Sequence, residues 1–305
     1  YKRQDPVTER TRRYLDDTLV LETVWVTASG KARVLDFMPL GDENAVVRIV
    51  EGLSGQTTFE MDLVMRFDYG RSVPWVERLD PLTLSAVAGP DRLILSSTVA
   101  PHARDHHTVA RMRVGEGERH VFSLRHHPSH LAVPAEQDVD ACLKATVDQW
   151  QAFAAKCPDV GPYTALVRRS LLVLKAMTYA PTGGIVAAVT TSLPERVGGE
   201  RNWDYRFCWL RDATMTLLAF MNLGYFDEAQ AWREWLLRSV AGNPEQMQIM
   251  YGLAGERDLQ EYTLPWLAGY EHSQPVRVGN AASQQMQLDI YGELADAMSQ
   301  AIKGG

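Results

Sequence analysis

Charged and aromatic residues are interleaved between Gly198 and Ala213, in the sequence GGERNWDYRFCWLRDA. The pattern places charged side chains among large rings: Arg201, Asp204, Arg206, Arg211 and Asp212 among Trp203, Tyr205, Phe207 and Trp209. Aromatic rings cover the apolar C–H face of a sugar, while aspartate accepts and arginine donates hydrogen bonds to its hydroxyl groups. A phosphate site would instead need a glycine-rich loop or a basic cluster. This stretch, the central motif, therefore predicts a site for a neutral sugar.

A structural role for the same residues is the alternative. Arg211 and Asp212 could form an ion pair that ties the start of a helix to its neighbours, and the rings could pack in a core. Short motifs of this kind need a structural context before they indicate a function. The residue types alone therefore favour neither interpretation.

Two longer runs resemble one known family. Residues 190–213, TTSLPERVGGERNWDYRFCWLRDA, are similar to the opening of the catalytic domain in glycoside hydrolase family 15, the family of glucoamylases, glucodextranases and bacterial trehalases. Residues 275–293, PVRVGNAASQQMQLDIYGE, resemble the next block of the bacterial members. Because both runs occur in the right order and at the right separation, the resemblance is specific.

The resemblance implies an exo-acting, inverting hydrolase that releases glucose from trehalose or from α-glucan ends. It assigns contacts with the terminal glucose to one group of side chains: Tyr205, Trp209, Arg211 and Asp212, and more weakly Trp203 and Gln284. It assigns no catalytic residue to this chain, since the general-acid and general-base glutamates of the family are expected beyond Gly305. It implies no metal and no cofactor. We therefore expect a fragment that lacks the very N-terminus and the C-terminal half of the catalytic domain.

Other polar residues near these positions have competing interpretations. Asp204 and Glu195 are alternatives for the acid and base, but the resemblance does not place them at the catalytic positions. Gln285 and Asp289 lie where barrel residues often reach the cleft, although a polar face between helices is slightly favoured for them. A catalytically incomplete sugar-binding or regulatory chain is therefore a second hypothesis for the function, and an assembly fragment that needs a partner chain is a third.

Two domains are predicted, β followed by α. Apolar and polar residues alternate from Phe59 to Tyr69, and further short strands, among them a hairpin at Ser29-Gly30, predict an antiparallel sandwich in residues 1–134. Residues 135–160 read as a helical linker and residues 161–305 as helices. The resemblance implies a β supersandwich followed by the first part of an (α/α)6 barrel.

Helix limits follow from the periodicity and from capping residues. The pattern predicts helices over 138–156, 163–179 and 209–223, and a short apolar β segment over 185–189. A fourth helix is predicted with Asp227 as N-cap and Gln230 in a capping box, ending at Gly242. Asn280 is predicted to cap a long last helix.

The composition excludes several classes of partner. The chain has 305 residues, 46% hydrophobic and 23% charged, and its 38 acidic residues outnumber its 31 basic ones. Without a basic cluster, nucleic acid is not an expected partner, and no apolar run is long enough to cross a membrane. Three cysteines without metal-type spacing predict a reducing, cytoplasmic setting. The expected partner is a small α-glucoside, and the composition does not decide whether the chain forms a homo-oligomer.

Histidines concentrate in the predicted sheet region: His102, His106, His107, His120, His126, His127 and His130. A metal site is the sharper interpretation. Neighbouring residues on a strand point to opposite faces, however, and the spacing matches no known zinc motif. Exposed strand and loop histidines are therefore the preferred prediction.

Overall fold

The computed structural model describes residues 2–3, 6–41 and 44–303. The chain divides into two compact units, whose boundary in the sequence lies between Phe153 and Ala154. The first unit is built mainly from strands, and the second from helices and irregular segments. The predicted order of β then α is confirmed at this level. The domain limits 1–134, 135–160 and 161–305 stay predictions.

The strands of the first unit pair antiparallel throughout the described residues. They are β1 (Lys2–Arg3), β2 (Val7–Tyr14), β3 (Leu21–Thr27), β4 (Gly30–Phe37), β5 (Asn44–Leu63), β6 (Trp75–Asp80), β7 (Thr83–Ala88), β8 (Asp91–Ser97), β9 (His102–Arg104), β10 (His107–Gly115) and β11 (Arg119–Pro128). The main path runs β2-β3-β4-β5-β11-β8-β7-β6, and β1, β9 and β10 extend it from the second half of β5. The hairpin predicted at Ser29-Gly30 is the connection between β3 and β4.

The long strand β5 belongs to both layers of this unit. Its first half pairs with β4 and β11, and its second half pairs with β10. Gly52 lies between the two halves, where an added Cβ would lie 1.8 Å from the carbonyl oxygen of Gly115. One buried cluster joins Phe59 and Met112 from the second half of β5 and β10 to Val34 and Phe122 from the other layer. The sequence pattern predicts separate strands here because the glycines of this region interrupt the alternation.

One helix, α1 (Val139–Ala155), begins within the first unit. Its residues Val139, Cys142, Leu143 and Val147 share one face and pack on a second buried cluster of the sheet, which contains Val47 and Ile49. The start of α1 thus covers the outer face of the sheet.

The second unit contains the central motif. Its elements are α2 (Thr164–Ala176), β12 (Cys208–Trp209), α3 (Leu210–Asn222), α4 (Phe226–Ser239), β13 (Met250–Tyr251), β14 (Tyr262–Thr263), β15 (Arg277–Val278) and α5 (Asp289–Lys303). Helix α3 lies against α2, α4 and α5, and α4 also contacts α5. Phe220, Trp232 and Trp235 are fully buried in this unit. A helical second unit is confirmed, whereas the (α/α)6 barrel stays a prediction.

Several predicted helix ends are wrong. Tyr225, without a side-chain cap, precedes α4, while Asp227 lies inside the first turn and Gln230 donates to Glu234. Acidic residues in a first turn interact favourably with the helix dipole without acting as caps, which explains the misplaced start. The helix also ends at Ser239 rather than at Gly242.

Asn280 and the segment 185–189 also differ from prediction. The Asn280 side chain accepts from the amide of Ala282, but it caps a short 3₁₀ helix, Ala281–Gln284, and the long helix begins only at Asp289. The segment 185–189 forms no strand, because only Ile185 makes an isolated bridge. In both cases the sequence predicts the right local feature, a cap or a β contact, but makes the element that follows too long.

Two histidines of the first unit, His107 and His126, lie beside carboxylates. A ring nitrogen of His107 lies 2.6 Å from Asp62, and one of His126 lies 2.7 Å from Asp91. No group of three or more potential metal ligands occurs in the part of the chain that the structure describes. Within the same residues, no helix combines the length and apolar character that a bilayer crossing requires.

Candidate functional site

The central motif ends at the first turn of α3, whose orientation follows from its sequence. Leu210 and Leu217 are buried on the core side, which turns the face with Arg211 and Asp212 toward solvent. Strand β12 pairs with β13, and the amide of Leu210 donates to the carbonyl of Ile249 over 3.0 Å. These contacts fix the backbone from which the two charged side chains extend.

Arg211 is bound to the segment that leads into α5. Its Nη1 donates to Asp289 Oδ2 over 3.0 Å and to Gln287 Oε1 over 3.3 Å. Gln287 in turn donates through Nε2 to Gln285 Oε1 over 3.2 Å. The guanidinium is therefore held from one side, and 42% of the side chain stays exposed.

Asp212 is the accessible acceptor of the site. Its side chain is 47% exposed, and its nearest cationic atom is Nε of Arg211, 3.9 Å away. This distance is too long for a hydrogen bond. Within the described residues, its carboxylate accepts no hydrogen bond. It is therefore free to accept from the hydroxyl groups of a ligand.

Two aromatic rings lie next to these charges. The ring centroids of Tyr205 and Trp209 are 6.1 Å apart at 50°, and Tyr205 is 36% exposed while Trp209 is only 9% exposed. Burial raises the pKa of the Tyr205 hydroxyl, and the negative charges of Glu195 and Asp212 raise it further. Tyr205 thus stays a neutral phenol, able to donate a hydrogen bond at neutral pH.

The indole of Trp209 has an unusual environment. Its Nε1 is buried and has no hydrogen-bond partner among the described residues. Buried polar groups of proteins almost always have a partner. The ring presents little surface to solvent, and its contact with glucose stays a prediction.

Asp204 forms a closed structural cluster. It is fully buried, and both of its oxygens bind Arg206, at 2.9 Å to Nε and 2.8 Å to Nη2. The amides of Arg206 and Gly279 also donate to it, each over 3.1 Å. With four donors and no contact with solvent, this carboxylate holds two segments of chain together.

The other candidates have weaker environments for a site. The guanidinium carbon of Arg277 lies 4.3 Å from the centroid of the Trp203 ring, which braces that ring from one side. Gln284 is exposed at the end of its 3₁₀ helix. Glu195 forms an exposed ion pair with Arg201 over 3.3 Å. The sugar-binding assignments of Trp203 and Gln284 stay predictions.

Sequence reasoning missed two contributors. Gln287 binds Arg211, and Arg277 joins the motif to Glu261 and to the carbonyl of Glu200. Both residues lie in the second run that resembles the family, 275–293, but a polar residue in such a run gives no hint of its partner. The segment before α5 therefore contributes to the site together with Asp289 of the helix itself.

The cavities described in the first unit contain none of these residues. One of about 410 Å³ is lined by Trp75, Arg66 and His106 among others, and one of about 260 Å³ by Trp25 and Arg12 among others. The candidate site lies at the start of α3, where Tyr205, Arg211 and Asp212 are partly exposed.

Comparison with known proteins identifies the family of the second unit. Residues 161–305, which contain the whole site, match the family described as glycosyl hydrolases family 15. Residues 161–305 of this chain belong to glycosyl hydrolase family 15. The predicted family membership is confirmed.

Three proteins to which this chain is similar carry the name trehalase. The chain is 35% identical to the trehalase of Mycolicibacterium smegmatis, covering 94% of this chain and 48% of the relative. It is 34% identical to that of Mycobacterium tuberculosis, covering 94% and 46%. Trehalase 1 of Sulfolobus acidocaldarius is 34% identical, with 92% and 48% covered. The chain thus spans about half the length of the curated relatives it matches.

Proposed function

We propose that the surface formed by Tyr205, Arg211 and Asp212 binds a terminal glucose unit, and that the chain works in a trehalase-type α-glucoside hydrolase. Trehalose is the first candidate substrate, because the relatives described above carry that name. An α-glucan end is the runner-up, since the resemblance implies both.

The accessible carboxylate of Asp212 is the observation that carries the proposal. It lies beside a guanidinium that is held from its other side, 3.9 Å from Nε, and it has no hydrogen bond among the described residues. Tyr205 adds a ring and a neutral hydroxyl. An acceptor, donors and a ring side by side suit a polyhydroxylated neutral ligand.

Bond cleavage in the proposed enzyme is inverting. One carboxylic acid protonates the leaving oxygen while a second carboxylate activates water on the opposite face, which places the two groups roughly 6.5–9.5 Å apart. Among the described carboxylates of the site, Asp204 has no free oxygen and Glu195 is ion-paired on the surface. We therefore give the residues of this chain the role of binding and orienting glucose, and leave acid–base catalysis to the glutamates expected beyond Gly305.

Binding is tested first, by NMR titration of the chain with trehalose, maltose and the β-linked disaccharide cellobiose. Trehalose is expected to bind, and Asp212→Ala to weaken it about tenfold, because a hydrogen bond to a charged group is lost. The matched control is Asp227→Asn on α4, whose carboxylate is also in a first turn, 3.6 Å from Lys156. Equal affinities of wild type and Asp212→Ala would contradict the proposed site.

Catalysis is tested by following the first product anomer with ¹H NMR on the protein expressed from its complete coding sequence. The proposal expects β-glucose first, since inversion at an α-linked carbon gives the β anomer. α-Glucose first would overturn the inverting mechanism. Binding without any hydrolysis would favour the second hypothesis, a sugar-binding or regulatory chain.

A further inference from the structure

Arg211 lies between two carboxylates from different elements. Asp289, in the first turn of α5, accepts from its Nη1 over 3.0 Å, whereas Asp212, in the first turn of α3, lies 3.9 Å from its Nε. All three side chains are between 41% and 47% exposed. Ion pairs with this exposure are weak and close in energy. A small change on either side can therefore decide which carboxylate Arg211 binds.

We propose that Asp289 and Gln287 are positioning residues, which hold Arg211 away from Asp212 so that the Asp212 carboxylate stays open to the ligand. This inference rests on the proposed function of the site. Both acceptors use the same nitrogen, Nη1, which leaves Nε and Nη2 as donors for a sugar. Without Asp289, Arg211 closes the short remaining distance to Asp212 and the two ligand-binding groups satisfy each other.

Helix packing holds the two carboxylates that compete for Arg211 at a fixed separation along the backbone. Ile290 and Ala297 of α5 are 3% and 2% exposed, and α5 packs directly against α3. The first turns of the two helices are therefore held next to each other by their apolar faces. Gln285 accepts from the Nε2 of Gln287, and this bond directs the Gln287 carbonyl oxygen toward Arg211.

The decisive variant is Asp289→Asn, which keeps the size of the side chain and removes its charge. Its affinity for trehalose is expected to fall about three- to tenfold, the range typical of coupled neighbours. The double variant Asp289→Asn with Gln287→Glu places a carboxylate at the other acceptor of the same Nη1, and we expect it to restore affinity. A role in general folding would not respond to this transfer of charge. Asp227→Asn is the control for loss of a first-turn carboxylate.

A second readout needs no sugar. In ¹⁵N-arginine spectra, the Nε–H signal of Arg211 is expected to shift in Asp289→Asn, and the shift is expected to vanish when Asp212→Asn is added. Absence of that shift, or affinity that Gln287→Glu does not restore, overturns the inference. If wild type binds no sugar but the shift occurs, the arrangement of Arg211 is upheld and only the proposed function fails.

Discussion

Two aspartates of the central motif differ sharply in environment. Asp204 is fully buried and binds four donors, whereas Asp212, eight residues later, is 47% exposed and accepts no hydrogen bond within the described residues. Each has an arginine nearby in sequence, Arg206 and Arg211. The same pair of residue types thus serves as a structural clamp at one position and as an open acceptor at the other.

Backbone context explains the difference. Asp204 lies in an extended segment that faces the loop at Gly279 and Asn280. The amide of Gly279 donates to its carboxylate, and the side chain of Asn280 donates to its backbone carbonyl. Asp212 lies in the first turn of α3, on the face opposite buried Leu210. A helix start leaves side chains on its outer face free, while a loop that crosses another loop must satisfy its buried polar groups internally.

The largest expected effect is the loss of the buried clamp. Asp204→Ala leaves Arg206 and the amide of Gly279 without their acceptor, and breaking a buried pair of this kind costs about 3 kcal/mol or more in the free energy of unfolding. Urea denaturation followed by tryptophan fluorescence measures it. Asp212→Ala is the matched comparison and is expected to change stability by about 0.5 kcal/mol or less, as for most surface changes. Equal losses for both variants would remove the distinction drawn here.

A smaller effect is expected at alkaline pH from two buried groups of the second unit, Cys208 in the central motif and Tyr225 before α4. Burial raises the pKa of Cys208 from its ordinary value of 9.0 to about 12, and burial also raises that of Tyr225 from 10.0 to about 12. Below pH 9 both groups are protonated in the folded and the unfolded chain, so neither affects stability. Between pH 9 and 12 the unfolded chain loses these protons first, and the folded state is progressively destabilised.

Urea midpoints between pH 8 and pH 11 test this expectation. Cys208→Ala is expected to flatten the decline, because the residue no longer ionises in the unfolded chain. The matched control is Cys142→Ala, since Cys142 is only partly buried. An unchanged slope in Cys208→Ala would show that other groups control the alkaline loss.

The fold was largely predictable from local pattern. Alternation located the second half of β5, although that strand ends at Leu63 and not at Tyr69, and helical spacing located α1, α2 and α3 to within a few residues. Strands β2 and β6 were among those missed. All six residues of β6 and seven of the eight residues of β2 are exposed, so neither strand carries an alternation of burial. The continuous strand β5 was also missed, since its two halves turn different faces to the core.

The candidate site was predictable only in part. Residue types nominated Arg211 and Asp212, and the resemblance distinguished them from Asp204, which composition could not do. The partners of Arg211 come from residues 76 and 78 positions later in the chain. Such contacts depend on how α3 and α5 pack, and no local pattern contains that information.

The smallest expected effect concerns Trp203. Its ring either supports the fold together with Asp204 or contacts the sugar. Arg277 lies over its ring at 4.3 Å, pairs with Glu261 and donates to the carbonyl of Glu200. Arg277→Lys keeps the charge but loses the planar stacking and the forked donors, which we expect to cost about 1 kcal/mol of stability. If Trp203 belongs with Asp204 to the clamp, the affinity for trehalose stays unchanged in this variant. A weaker affinity at unchanged stability would instead place the Trp203 ring against the sugar, because releasing the ring from Arg277 would then disturb the ligand rather than the fold.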